Sequence, residues 1–264
     1  MRNLRFILTG FIIFWLTGCK EVVDFYLGIP LQPVIDEDSF VPGLNIFGII
    51  RPDSNGDYNN SCIMLQKVIP AVGSSDSLDV GRAVVRVERL NEESCLYDFL
   101  LTDYGHLFSQ EAYRPDTTFS TKAGDIFTVE CVYHELPVLK AMTIVPNPPV
   151  MLMNTLTETG NSISFEVQAE PSIFMLDIYV YAAGELAGYE RLPAEQSVNT
   201  LVFLPYLQGL ADSIDLYSYD SNMADYYTTA NTSLNFNKYR ESFSTVENGY
   251  GVFGSMNHTR FYLK

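Results

Sequence analysis

The chain has 264 residues, and 32 acidic against 16 basic side chains give it a formal net charge of −16 at pH 7. A surface this acidic repels nucleic-acid phosphates and anionic lipid headgroups, which argues against nucleic acid as a partner. Hydrophobic residues make up 47% of the sequence and aromatic residues 13%. This composition excludes a disordered chain and allows a sizeable core.

Residues 1–18 have the build of a secretory leader. Two arginines precede the apolar run FILTGFIIFWLT, residues 6–17, which is shorter than the ~20 apolar residues that a membrane-spanning helix needs. The run ends in LTGC, residues 16–19, a stretch that resembles the lipobox of bacterial lipoproteins. The resemblance implies cleavage between Gly18 and Cys19 and lipid attachment at Cys19, so that acyl chains would hold the protein on a bilayer. An ordinary cleaved leader with an unrelated cysteine is the alternative.

Residues 19–43 are predicted to be the lipidated N-terminus and a spacer. This segment contains Pro30, Pro33 and Pro42 and the acidic cluster DEDS. Prolines at this spacing favour an extended connection between the bilayer and the first domain over regular secondary structure.

Residues 44–148 repeat one pattern, in which short runs rich in Val, Ile, Phe and Tyr alternate with clusters of turn-forming residues. In DIFTVECVY, residues 125–133, Phe127, Val129 and Cys131 share one strand face and polar residues share the other. Alternation with a period of two and regular turn signals predicts an antiparallel β-sandwich.

The proline-rich stretch PNPPV, residues 146–150, predicts a domain boundary, because it cannot hold a strand ladder. Alternating runs resume after it in SISFEVQA, FMLDIYVYAAG and SIDLYSYD. We therefore predict an all-β chain with two antiparallel sandwiches of immunoglobulin or fibronectin type, the second at residues 149–264.

The segment SNMADYYTTANTSL interrupts the strand pattern and predicts one short helix near the C-terminus. Ser221 or Asn222 is the expected N-cap, with Asp225 in the first turn, where carboxylates meet the positive end of the helix.

Four tyrosines lie within this predicted helix or just before it in the sequence. They could form a surface that binds a sugar, a peptide or a protein, since aromatic side chains supply contact area at low entropic cost. The alternative, which we favour, is that they pack the helix against the second sandwich. The four are Tyr217, Tyr219, Tyr226 and Tyr227.

Near its end the chain reads STVENGYGVFG, residues 244–254. This stretch resembles the C-terminal signature of domain of unknown function 4249, a family of predicted lipoproteins, with Thr245 in place of the usual Asn. Runs of the type L-x-I-x-G, V-x-V, G-x-x-F-x-V and A-x-T-x-x-P-x-P-P precede it in the order found in that family. The resemblance implies an outer-membrane lipoprotein of gut-type Gram-negative bacteria, often paired with a TonB-dependent transporter. It implies no catalytic residues.

The glycine-rich signature is predicted to be structural, because a dinucleotide-binding loop would be followed by a helix and a strand is predicted here. We expect Gly249 to adopt a positive φ and Gly251 to form a bulge or allow close backbone approach. Glu247 and Asn248 are expected to bond neighbouring amides. Gly254 is the last residue of the signature for which we predict a structural role.

The sequence contains no Gly-x-Ser-x-Gly, HExxH or Ser-x-x-Lys motif, and it predicts neither metal nor cofactor. DSNGD, residues 53–57, has the carboxylates of a calcium loop but lacks the EF-hand spacing, and its Asn-Gly pair favours a hairpin turn. Cys62, Cys95 and Cys131 are an odd set, so we expect buried thiols, with one bridge plus a free thiol left open.

Together these patterns predict a non-catalytic, lipid-anchored binding or accessory protein of the outer membrane, on its periplasmic face or at the cell surface. The expected partners are the membrane, through the lipid on Cys19, and a TonB-dependent transporter. One alternative is an adhesion or fimbria-type component, because sandwiches can pair edge to edge. Another is a glycan-active enzyme whose two carboxylates are far apart in sequence.

Overall fold

The computed structural model describes residues 42–52, 61–68, 80, 83–90, 95–103, 111–115, 119, 121–205, 210–231 and 245–263. Within these ranges the chain is mostly β, with one short helix, which confirms the all-β prediction. Gly18 and Cys19 of the lipobox and the DSNGD stretch lie outside the described residues.

Fifteen strands and one helix make up the described part of the chain. In chain order they are β1 (Leu44–Ile50), β2 (Cys62–Lys67), β3 (Val84–Arg89), β4 (Cys95–Asp103), β5 (Glu111–Pro115), β6 (Ile126–Val132), β7 (Leu139–Ile144), β8 (Met151–Thr159), β9 (Ser162–Val167), β10 (Met175–Ala182), β11 (Glu185–Pro193), β12 (Thr200–Pro205), β13 (Ser213–Tyr219), α1 (Ser221–Asn231), β14 (Val246–Glu247) and β15 (Gly249–Tyr262).

Strand alternation follows the sequence pattern. Phe127, Val129 and Cys131 of β6 are all buried in one core, as predicted. Burial raises the pKa of the Cys131 thiol to about 12, so this cysteine behaves as a small apolar side chain. Cys62 is also a free thiol, whereas the side chain of Cys95 lies outside the described set.

The first core is enclosed by the strand series β1-β2-β5-β4-β3-β6-β7. At one end of the series β7 pairs with β14, and at the other end β1 pairs with β15. Because only Asn248 separates β14 from β15, one short segment of chain joins both ends of the series.

The β1–β15 pair is parallel, with Leu44 opposite Gly249 and Ile50 opposite Ser255. This corrects the prediction of purely antiparallel sheets. Parallel neighbours need a long connection, and here almost the whole chain lies between the two strands. Local alternation does not encode that long-range choice.

The second core lies between two sheets. Strands β11-β10-β13-β15 continue the larger sheet, and they face a separate three-stranded sheet in the order β12-β9-β8. Ile163 and Phe165 of the smaller sheet are fully buried with Ile178 and Leu216 of the larger one. The final strand enters both cores, since residues 256–262 pair with β13.

A buried polar cluster joins the two cores. Asp220 caps α1, because its Oδ1 accepts a hydrogen bond of 2.9 Å from the Met223 amide. The cap is therefore neither Ser221 nor Asn222, and no acidic residue lies in the first turn, so the expected role of Asp225 was wrong. Strand β13 ends at Tyr219 and the helix begins at Ser221, so Asp220 is the single residue between them and occupies the cap position.

The other Asp220 oxygen lies 2.6 Å from the Thr143 hydroxyl, whose oxygen lies 2.9 Å from the Ser255 hydroxyl. Ser255 in turn donates to the Ile144 carbonyl at 2.8 Å. Thr143 has one hydroxyl proton, so at any moment it donates to Asp220 or to Ser255 and not to both. Burial raises the pKa of Asp220 to about 6, despite the bonds it accepts.

We expect Asp220→Asn to remove a pH dependence of stability. The wild-type carboxyl is neutral in both states below its usual pKa of 3.8. As the pH rises towards 6 the unfolded chain ionises first, so folding stability falls by up to about 3 kcal/mol. Asn keeps the cap and can donate to Thr143 at every pH.

Urea unfolding at pH steps from 4 to 7 measures the effect, with the exposed Asp98→Asn as the matched control. The free-energy difference between wild type and Asp220→Asn should change over this range. A constant difference would show that Asp220 does not titrate as the geometry indicates.

Candidate functional site

The glycine-rich signature lies at the seam between the two cores, where it has structural contacts. The positive φ angles occur at Asn248, with φ 56°, and at Gly251, with φ 96°, and not at Gly249 as predicted. A Cβ on Gly249 would lie 2.8 Å from the Leu44 carbonyl oxygen, so this glycine permits close backbone approach instead.

The polar residues of the signature also differ from expectation. The Asn248 amide donates to the Val138 carbonyl oxygen at 3.2 Å, so it bonds a carbonyl and not an amide. Glu247 is exposed and lies opposite Lys140 in the β14–β7 pair. Gly254 makes room for α1, since a Cβ there would lie 2.9 Å from Asp220 Oδ1.

A cavity of about 750 Å³ opens on the outer face of the first core. A row of exposed charges crosses this face in cross-strand register and alternates in sign from β4 to β14. The Arg86–Asp98 and Lys140–Glu130 pairs are 3.6 Å and 3.3 Å apart. The row is Asp98, Arg86, Glu130, Lys140 and Glu247. Exposed ion pairs contribute little to stability, and four of these five charges already neutralise one another in the two pairs, so we do not place the candidate site on this face.

A smaller cavity of about 230 Å³ lies on the outward face of β10 and β13 and has a distinct chemistry. Four tyrosines and one methionine form its wall. They alternate with the residues that fill the second core, so the strand pattern itself places them on this face. They are Tyr179, Tyr181, Tyr217, Tyr219 and Met256.

The aromatic rings around this cavity contact one another. Tyr179 and Tyr217 meet nearly at right angles, at 81° and a centroid distance of 5.5 Å. Tyr189 lies 4.8 Å from Tyr179, and His258 stacks on Tyr217 at 4.5 Å. Edge-to-face and offset contacts of this kind are favourable and hold the rings in place.

Asp177 anchors one side of the cavity. Its carboxylate is only 1% exposed and accepts two hydrogen bonds of 2.6 Å from Arg191. The hydroxyls of Tyr219 and Tyr189 also donate to it, at 3.0 Å and 3.3 Å. Burial and the nearby Asp177 charge raise the pKa of Tyr189 to about 12 and also raise that of Tyr219. These phenols therefore stay neutral and protonated.

Asp215 anchors the other side. It is buried and accepts a bidentate pair of bonds from Arg260, with Nε at 2.6 Å, and His258 Nε2 lies 3.2 Å from it. Burial raises the pKa of the Asp215 carboxyl, but the hydrogen bonds from Arg260 and the nearby His258 ring outweigh that effect and leave the pKa lowered. Each buried carboxylate thus holds an arginine and positions an aromatic wall.

Helix α1 covers the neighbouring part of the same face. Tyr227 contacts Tyr219 at 5.5 Å, and Tyr226 contacts Phe47 of β1 at 5.7 Å. The Tyr219–Tyr227 contact confirms that the helix packs against the second sandwich, whereas Tyr226 packs on β1 of the first core instead. Tyr219 also lines the cavity, together with Tyr217. Sequence reasoning missed the Asp177–Arg191 pair, since only the β10–β11 register brings these two residues together.

Within the described ranges, no group of three or more His, Cys, Asp or Glu side chains is placed to hold a metal ion. Over the same ranges, no helix combines the length and the apolar character that a membrane crossing requires.

No protein-family model matches the chain, and no curated protein is similar to it in sequence. The resemblance to domain of unknown function 4249 stays a prediction that depends on the motifs themselves.

We expect Gly251→Ala to destabilise the protein by more than about 2 kcal/mol. Alanine is strained at a φ of 96°, and its Cβ would collide with the carbonyl group of Ile46. Gly160→Ala is the matched control, because no atom lies within 4 Å of a Cβ at that turn. Chemical denaturation of both variants measures the difference, and equal stabilities would contradict the structural role.

Proposed function

We propose that this protein is a lipid-anchored, non-catalytic binding or accessory subunit of the outer membrane that acts with a TonB-dependent transporter. The observation that carries the proposal is the tyrosine-lined cavity, which is preformed and open to solvent on the second core. Such a concave aromatic surface with a few fixed polar groups suits ligand binding. The lipobox at Cys19 supports the anchor, and the signature at residues 244–254 supports the location and the partner.

The state of the two buried carboxylates favours binding over catalysis. Asp177 and Asp215 are each bound bidentately by an arginine. A general acid or base must exchange a proton with substrate, and a carboxylate committed in this way is poorly suited to that task. The same feature weighs against a glycan-active enzyme at this cavity, since glycosidases use a pair of available carboxyl groups.

We further infer that the two cores are sandwich modules of immunoglobulin or fibronectin type that share their final strand. The facing sheets of the second core support this assignment. In the first core, the support is the buried alternation of β1, β3 and β6.

A second candidate function, an adhesion or fimbria-type assembly component, is favoured by one feature of the smaller sheet. Strand β12 is at the sheet edge, and among the described strands it pairs only with β9. Leu201 and Phe203 project from it with 67% and 57% of their surface exposed. An apolar edge strand is a ready template for pairing with another chain.

The anchor and the partner can be tested together. In cells grown with labelled palmitate, wild type should take up the label and fractionate with the outer membrane, because Cys19 is lipidated. Affinity purification in a gentle detergent should bring a TonB-dependent transporter with it. Cys19→Ala should lose the label, the membrane fraction and the transporter.

Cys62→Ala is the matched control for loss of a thiol and should retain all three properties, since Cys62 is a half-buried thiol of β2. An unlabelled wild type would refute the anchor. A labelled wild type that brings no transporter would refute the partner.

Assembly through β12 is tested by light scattering on the purified full-length protein. Under the leading proposal we expect a single size in maltoside micelles and no change on Phe203→Lys. A ladder of polymers that Phe203→Lys abolishes would favour the assembly function instead, because a charge on the edge strand blocks edge pairing.

A further inference from the structure

The tyrosine-lined cavity has the size of a small chemical group. Its volume of about 230 Å³ is below the ~300–1,000 Å³ of sites that take drug-sized ligands. An oligosaccharide or a folded peptide segment would overfill it. The perpendicular rings of Tyr179 and Tyr217 form a corner, and Tyr181, Tyr219 and Met256 complete the wall.

The tyrosines of this face already interact with cations. The Arg191 guanidinium carbon lies 3.8 Å from the ring centroid of Tyr227, and that of Arg260 lies 5.5 Å from the centroid of Tyr181. Both distances are within the ~6 Å range of a cation–π interaction, in which the negative face of the ring attracts positive charge. One such contact therefore involves the wall residue Tyr181, and the other involves Tyr227 of the neighbouring helix.

The charge around the cavity excludes an anion more strongly than a cation. Each arginine donates two of its five N–H groups to a buried carboxylate, so Asp177 and Asp215 already balance the positive charge that would attract an anionic ligand. The chain as a whole carries a charge of −16, which raises the local concentration of cations and lowers that of anions.

We propose that this cavity binds a quaternary or methylated ammonium group, such as the head of choline. This inference rests on the proposed binding function and names its ligand class. Methyl groups on nitrogen pack against tyrosine rings and the Met256 side chain, and the charge they carry is attracted by the ring faces. A primary ammonium is strongly hydrated, so it has more to lose on entering an aromatic site.

The test uses the full-length protein in maltoside micelles, because detergents with a choline headgroup would occupy the site. Isothermal titration compares choline with 3,3-dimethylbutan-1-ol, in which carbon replaces the charged nitrogen. We expect choline to bind at least about tenfold more tightly. Equal affinities, or no choline binding, would overturn the proposal.

Two substitutions at Tyr217 distinguish the contribution of its ring to choline binding from that of its hydroxyl. Tyr217→Phe keeps the ring face, so its choline affinity should stay within about threefold of wild type. Tyr217→Leu removes the ring and should weaken binding about tenfold, an effect of the size of a cation–π contact. Tyr179→Leu repeats the test at the facing wall if Tyr217→Leu does not fold, and Phe203→Leu on the opposite sheet should change nothing.

The outcomes separate ligand class from function. Loss of binding in Tyr217→Phe would indicate recognition through the hydroxyl, as in a sugar site, and would overturn the cation assignment. If choline does not bind while the transporter still co-purifies, the ligand class fails and the proposed function stands. If the transporter is absent and choline still binds, the function fails and the cavity assignment stands.

Discussion

The fold depends on the passage of one strand, β15, through two hydrophobic cores. Its first half pairs with β1 and its second half with β13. At the point where it crosses, Ser255 belongs to the buried cluster with Thr143 and Asp220. Because each polar atom of that cluster is away from water, each needs its partner, and the three elements cannot separate without leaving a group unsatisfied.

The same cluster determines where the helix lies. Asp220 accepts from the α1 backbone, and Asn222 donates to the carbonyl oxygens of Met142 and Phe253 on strands of the first core. The helix is therefore fixed over β15, next to the tyrosine-lined cavity and not across it. Its own tyrosine, Tyr227, then forms the aromatic contact for Arg191 at the rim. The hydrogen bonds of Asp220 and Asn222 that position the helix therefore also place Tyr227 at the rim of the cavity.

Beside the cavity, a buried charged side chain fixes the orientation of its neighbours. A buried carboxylate is costly unless it is paired and fully hydrogen-bonded. Asp177 meets that condition with Arg191 and the hydroxyls of Tyr219, which lines the cavity, and Tyr189, which packs on the wall residue Tyr179. The result is a cavity on a strongly acidic protein whose wall consists of tyrosine side chains and one methionine and contains no ionic group.

Local patterning alone determined much of this protein. Alternation in the runs around Phe127 and Phe165 identified the buried strand faces, because a strand turns successive side chains to opposite sides. The break at residue 221 placed the helix within one residue of its start. The leader and the lipobox stay predictions, and they depend only on local sequence and not on the fold.

Only the tertiary structure decided which strands are neighbours. The parallel β1–β15 pair, the cap by Asp220 and the positive φ at Asn248 each follow from contacts between residues far apart in the chain. The candidate site is of the same kind: sequence marked Tyr217, but the wall needs Tyr179 beside it and Asp177 beneath Arg191. Alternation specifies the face of a strand and leaves its partners open, because register is a property of two strands and not of one.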